Sequence, residues 1–309
     1  MARWRVLAAI VPLVVAVACG SDDDAGPTPT SGGSVVAVAS TVQPAPSTDP
    51  AAGSTPSTAS STTTAAPVPT TGPTSTRAQA TSTVPGSVAG LGDPIEVREI
   101  GRSVLGRAIT GVARGTPGGT RVLVIGVIHG DEDDGVAILD RLATAPVPEG
   151  VELWLVASMN PDGQAAGQRG NANGVDLNRN FPHEWGPIGE PGDGQYAGLG
   201  PASEPETQAI VDFVDELGPA LVLWYHQDLF RLSPGGGFEG SVKERYAEIT
   251  GLPIGRITGG TYTGVAATWA RTSTGGISFI VELGGSLTPR DADIHTLAVL
   301  DVARMVAVE

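Results

Sequence analysis

Two histidines and two glutamates stand at the ends of apolar runs, or inside them, where a polar side chain needs a reason. His129 closes the run Val122–Ile128, and Glu132 follows three residues later within HGDEDD. His226 closes a second such run, ALVLWYHQD. Neutral imidazole and carboxylate both suit zinc, and a His, Glu, His set leaves a fourth position for water, as a catalytic zinc requires. Alone, His-x-x-Glu is equally what two surface polar residues look like; the second strand-terminal histidine turns the reading towards metal. Glu282 lies inside ISFIVELGG, where a carboxylate is costly unless it is paired or faces a wet site. It reads either as a structural ion pair or as the general base for an attacking water. RGNANGVDLNRNFP (Arg169–Pro182) is too polar for an inert loop. Within it Arg179 and Asn178 can grip a substrate carboxylate, and Arg169 can stabilise an oxyanion. Asp131, Asp133 and Asp134 have a milder reading, as acids tolerated at a helix N-terminus. His295, beside Asp291 and Asp293, reads as a surface residue, and His183 as a loop residue.

These residues need strands to end where they begin. Apolar, β-rich runs occur at Val122–Ile128, Val151–Ser158, Ala220–Tyr225 and Ile277–Leu283. Helical patterns lie between or after them, at about Glu132–Ala143, Glu204–Leu217, Ser241–Thr250 and Ala292–Val308. Ser203-Glu204-Pro205-Glu206 predicts a helix start with Ser203 as N-cap and Glu206 closing a capping box. The alternation implies an α/β fold: a single domain with a central, mostly parallel (mixed) twisted sheet covered by helices on both faces. In such sheets, sites gather beyond the C-terminal strand ends, which is where His129 and His226 fall.

The N-terminal part has a different composition. Arg3 and Arg5 precede an apolar stretch, Val6–Val17, too short for a comfortable membrane span. AVACG then places Cys19, the only cysteine of the chain, after small residues. This predicts a lipoprotein-type signal peptide over 1–19, with Cys19 as the lipidated membrane anchor. Residues 20–92 are rich in Ser, Thr, Pro, Ala and Gly and lack the apolar content to fold, so they read as a disordered tether. Residues 93–309 read as the folded domain, which carries the candidate catalytic residues. The formal net charge of -15 argues against nucleic acid as a partner.

Taken in order, HGDE, NPDG, GVDLNRNFP, SEPET, the strand-terminal histidine and the VELG glutamate resemble the zinc carboxypeptidase (carboxypeptidase A-like) family. The likeness runs from GRSVLGRAI (Gly101–Ile109) to the C-terminal helix and is nearest in style to bacterial murein peptide amidases and γ-D-glutamyl-diaminopimelate peptidases. The resemblance implies one zinc per chain on His129, Glu132 and His226, with Glu282 as general base and Arg169 polarising the scissile carbonyl. It implies Asn178 and Arg179 as the grip on the terminal carboxylate and Asp176 as the partner that fixes a ligand histidine. Tyr262 is the nearest match to the family's substrate-side tyrosine, about two positions off. Ala267 and Thr268 would lie near the pocket for the terminal residue, where no acidic selector for basic side chains is visible. The function implied is a monomeric, lipid-anchored metallopeptidase at the outer face of the bacterial cytoplasmic membrane or in the cell wall. It would hydrolyse a peptide bond near a free carboxylate terminus in a peptide or muropeptide substrate. An aspartoacylase- or succinylglutamate desuccinylase-like zinc deacylase, and an inactive wall-binding lipoprotein, are the alternatives; NPDG, SEPET and the export signal favour the peptidase.

Overall fold

The structure, a computed structural model, describes residues 93–258 and 262–309. The signal segment, Cys19 and the tether lie outside the described residues. Six strands form one mixed sheet in the order β1-β2-β4-β3-β5-β6. They are β1 (Glu96–Arg102), β2 (Ala108–Gly115), β3 (Thr120–Ile125), β4 (Val151–Val156), β5 (Leu221–Gln227) and β6 (Ile277–Leu283). β3, β4, β5 and β6 run parallel; β1 and β2 are antiparallel additions on the β4 side. The four parallel strands are the four apolar runs of the sequence. The antiparallel pair was not legible there, because β1 is mostly exposed and carries no continuous apolar run.

Six helices follow: α1 (Gly135–Leu142), α2 (Pro161–Ala166), α3 (Pro205–Leu217), α4 (Gly237–Thr250), α5 (Ala266–Thr274) and α6 (Pro289–Ala307). Successive strand residues point to opposite faces, so the sheet has two cores. Val122, Val124, Leu223, Phe279 and Val281 pack with α1, α4 and α6. Leu123, Ile125, Val222 and Trp224 pack with α3 and α5. Each fully buried side chain of this size contributes roughly 1.5–3 kcal/mol, enough to fix strand register against a polar site.

Two local expectations change. The helix predicted from Glu132 begins at Gly135, so Glu132 lies in a turn, its N–H donating to the His129 carbonyl at 3.1 Å. The Ser203–Glu206 capping box does not form. Glu204 is the N-cap, and buried Glu206 instead accepts from the Val104 N–H and from Asn171. The loop it ties down outweighs the cap.

Candidate active site

The loops after β3 and β4 are fastened to each other. Asn160, at the N-cap of α2, accepts from the Gly163 N–H and donates to the Ile128 and Arg169 carbonyls. A Cβ built on Gly130 would run into the backbone of Gly163 and Gln164, so only glycine lets the loops close. That closure sets His129 beside a short 3-10 turn, Leu177–Arg179, whose N-cap is Asp176.

Asp176 organises the centre. Its Oδ1 lies 2.8 Å from His129 Nε2 and accepts from the Asn178 N–H, while Oδ2 accepts from Arg169 Nε and Nη2 at 3.1 and 2.8 Å. Burial alone would raise the Asp176 pKa, but His129, Arg169 and Arg179 hold it well below the ordinary carboxylate range. With Nε2–H committed to Asp176, His129 turns Nδ1 to Glu132 Oε1 at 3.0 Å. Glu132 Oε2 faces His226 Nδ1 at 3.1 Å and accepts from the Gln227 N–H at 2.9 Å. The two imidazoles meet edge to face, their centroids 4.6 Å apart.

Burial lowers the His226 pKa to about 4, only partly opposed by Glu132, so this imidazole is neutral at pH 7. His129 moves the other way: burial lowers its pKa, but Asp176 and Glu132 outweigh that and raise it. Burial alone would raise the Glu132 pKa, but the two histidines beside it outweigh that and hold it ionised. One donor atom from each of His129, Glu132 and His226 lies within 4.8 Å of the others. Two imidazoles and an ionised carboxylate converging on one point are a donor set that fits zinc. Arg169 Nη1 reaches the same point, 2.9 Å from Glu132 Oε1 and 3.1 Å from His129 Nδ1.

β6 supplies the fourth group. Its parallel register pairs Glu282 with His226 of β5. The carboxyl is only 8% exposed, and its buried Oε2 has no hydrogen-bond partner. Burial first, then the charge of Glu132, raises its pKa to about 7. The ion-pair reading therefore fails: no cation within salt-bridge distance of Glu282 occurs among the described residues, where Arg231 meets its backbone alone. Arg179 is the complement. It is 3% exposed, its Nε has no partner, and its one side-chain hydrogen bond goes from Nη1 to the Asn178 carbonyl at 2.8 Å. A buried guanidinium without a carboxylate is costly, and it opens on a cleft of about 560 Å³ that also holds His129, Glu132, His226 and Glu282. The Tyr262 ring lies 5.0 Å from this guanidinium on the cleft's exposed side.

The family model for zinc carboxypeptidases matches residues 92–228, the span from β1 through both histidines to the end of β5. Over that span the described domain is similar to the zinc carboxypeptidases. Murein peptide amidase A of Escherichia coli K12 is 34% identical over 147 residues, covering 44% of this chain and 61% of that protein. The chain thus spans less than two thirds of that relative. Carboxypeptidase SOL1 of Arabidopsis thaliana is 34% identical over 105 residues, 30% of this chain and 20% of that one. Among solved structures, the murein-tripeptide amidase of Escherichia coli O157 superposes with a TM-score of 0.56 at 25% identity, covering 68% of this chain and 92% of the other. Carboxypeptidase A of Helicoverpa armigera shares the fold, with a TM-score of 0.62 at 20% identity over 69% and 68% of the two chains.

The described domain brings together every site residue expected from the sequence: His129, Glu132, Arg169, Asn178, Arg179, His226, Tyr262 and Glu282 all line one cleft. Asn178 does so with its side chain partly committed, Oδ1 accepting from the Ala266 N–H and Nδ2 3.5 Å from His226 Nε2. His295 is a correction: it is buried, with Nδ1 2.7 Å from the Tyr246 hydroxyl, because it shares the inner face of α6 with Ala292 and Val299. Lys243 and Arg271, which also line the cleft, were not anticipated. Both sit on helices whose sequences give little sign of facing a site; the only hint was that Lys243 is the single lysine of the chain.

Proposed function

We propose that this domain is a zinc-dependent peptidase that cleaves the bond next to a free terminal carboxylate, with peptidoglycan stem peptides as its substrates. The observation that carries the reading is Glu282: a buried carboxyl with an unpartnered oxygen, held near neutrality beside a converging His, Glu, His set. His129, Glu132 and His226 would hold one zinc per chain; bound there, zinc supplies a Lewis acid that makes water a usable nucleophile near pH 7. Glu282 Oε2 accepts the proton of the attacking water and passes it to the leaving amine nitrogen as the C–N bond breaks. Asp176 keeps the Nε2 proton of His129 in place throughout. Arg179 takes the substrate's terminal carboxylate in a charge-assisted pair, Asn178 lines the same end of the cleft, and Tyr262 closes the exposed side. Arg169, anchored on Asp176 through Nε and Nη2, is placed to offer Nη1 to the developing oxyanion.

The stem-peptide substrate is supported by the murein peptide amidases among the relatives. The location is supported by the signal segment, Cys19 and the 20–92 tether, which together would hold the domain at the outer face of the membrane. The test is to incubate the purified, zinc-loaded chain with defined muropeptides and with ordinary free-carboxylate peptides, and to identify products by mass. Cleavage at the terminal bond of the stem peptide is expected. A zinc-loaded protein that cleaves neither class ends the proposal.

A further inference from the structure

Gln227 ends β5 immediately after His226, and it lines the cleft. Its backbone N–H holds the Glu132 carboxylate. Its side chain makes a second set of contacts that the reaction does not use. Gln227 Oε1 accepts from the Asp134 N–H at 3.1 Å, and Nε2 donates to Asp134 Oδ2 at 3.0 Å and to the Gly284 carbonyl at 3.4 Å. The same Asp134 oxygen accepts from the Leu287 N–H at 2.8 Å. One carboxamide and one carboxylate thus join the turn after β3, the end of β5 and the connection after β6.

Asp134 gives up an ordinary task to do this. It is the N-cap of α1, where an aspartate normally accepts from the helix's own free N–H groups, yet its side chain makes no cap bond. The carboxamide fits in one orientation only. Turned over, Gln227 would set Nε2 against the Asp134 N–H and Oε1 against a carboxylate and a carbonyl, donor facing donor and acceptor facing acceptor. The residues beside this clasp are the reacting ones. Glu132 stands two before Asp134, His226 one before Gln227, and Glu282 two before Gly284. The pairing of β5 with β6 runs out at Gln227 and Leu283, and the clasp takes over where it stops. Glu282 Oε2 has no partner of its own, so its place depends on where the end of β6 is held.

We infer that Gln227 and Asp134 are positioning residues, whose clasp sets the end of β6, and Glu282 with it, against Glu132 and His226. The inference rests on the peptidase reading for the role of Glu282, and the test separates the two. Gln227→Met removes the carboxamide at similar length, Asp134→Ala removes the carboxylate, and Asp134→Asn keeps one oxygen for both donors. Hydrogen exchange of the metal-free chain, read by mass spectrometry, needs no catalysis. Residues 131–135 and 284–288, which carry the clasped N–H groups of Asp134 and Leu287, should exchange faster in the first two variants and close to wild type in the third. Reloaded with zinc, the first two should keep the metal, because the Gln227 N–H that holds Glu132 is backbone. On a free-carboxylate peptide each should lose about 10–100-fold in kcat, the scale of a small misplacement of a reacting group, with KM near the wild-type value. Asp134→Asn should recover most of that loss. The double variant should lose no more than the worse single one, since both break one unit. Placed on Glu282→Gln, neither should lower kcat further, because no base is left to position. A role in folding alone would lower the melting temperature and leave the kcat of the folded, zinc-loaded protein unchanged, which overturns the inference. So does a loss in Gln227→Met that Asp134→Ala does not share, which would make Gln227 a direct contact of the substrate. If the wild type hydrolyses neither muropeptides nor ordinary peptides, the peptidase reading ends; faster exchange in both segments then keeps the clasp, and unchanged exchange overturns it.

Discussion

Glu282→Gln should move activity and stability in opposite directions. The Glu282 carboxyl titrates at about 7 in the folded chain, against an ordinary 4.5, chiefly because it is buried. Between those values the folded chain holds a proton that the unfolded chain gives up. The stability linked to this proton is fully present below pH 4.5, declines as pH rises, and is lost once pH passes about 7. At about 1.4 kcal/mol per pH unit, the interval amounts to roughly 3 kcal/mol. Glutamine keeps the shape and has no proton to lose, so the variant should escape that decline. The assay is urea denaturation of chelator-treated wild type and variant at pH 4.5, 6 and 8, read as the difference between them. The variant should gain on the order of 3 kcal/mol relative to wild type across this range. Reloaded with zinc, the same preparation should retain the metal and lose about 10²–10⁴-fold in turnover, as for a missing general base. A difference that stays flat with pH refutes the burial argument. Normal turnover with zinc bound moves the base elsewhere, and loss of zinc makes Glu282 a support of the metal group instead.

Arg179→Ala should cost about 2–5 kcal/mol in kcat/KM on substrates with a free terminal carboxylate and far less on amidated ones, already poor for wild type; an equal loss on both would assign Arg179 to the loop. Gly130→Ala should push the two site loops apart, lowering stability by about 1–3 kcal/mol in urea titrations and weakening zinc retention in a chelator competition; wild-type values for both would mean that the loops yield freely. Cys19→Ala should release the protein from the membrane fraction while the soluble form still hydrolyses substrate, and a wild-type chain that never incorporates labelled palmitate would reduce the N-terminus to an ordinary signal peptide.

What the sequence made legible follows a physical pattern. Each parallel strand is buried on both faces and so is apolar throughout, which made His129, His226 and Glu282 stand out as residues that did not belong. β1 and β2 lack that contrast because much of their surface is wet. The start of α3 was misread because Ser203 and Glu206 satisfy the local capping rule, while Glu206 is claimed by Val104 and Asn171 from far along the chain. His295 was misread for the opposite reason: its acidic neighbours suggested solvent, although its spacing from Ala292 and Val299 follows the apolar stripe of α6. Lys243 and Arg271 could not be placed at all, since what makes them part of the cleft is where α4 and α5 dock, and neither helix announces that in its own residues.

The pairing of His226 with Glu282 across β5 and β6 also constrains how this protein can diverge. Side chains alternate along a strand, so one residue gained or lost in β6 ahead of Glu282 would present Val281 or Leu283 to the cleft and bury the acid in the opposite core. No later substitution at a single position repairs such a shift. Lineages of this domain can therefore accept insertions in the long connections that follow the strands, where the walls of the cleft are made. Within the stretch from Ile277 to Leu283 they can change letters but not length. Novelty in what the cleft accepts should arise around the rim, while the interval between the strand residues that face each other across β5 and β6 stays frozen.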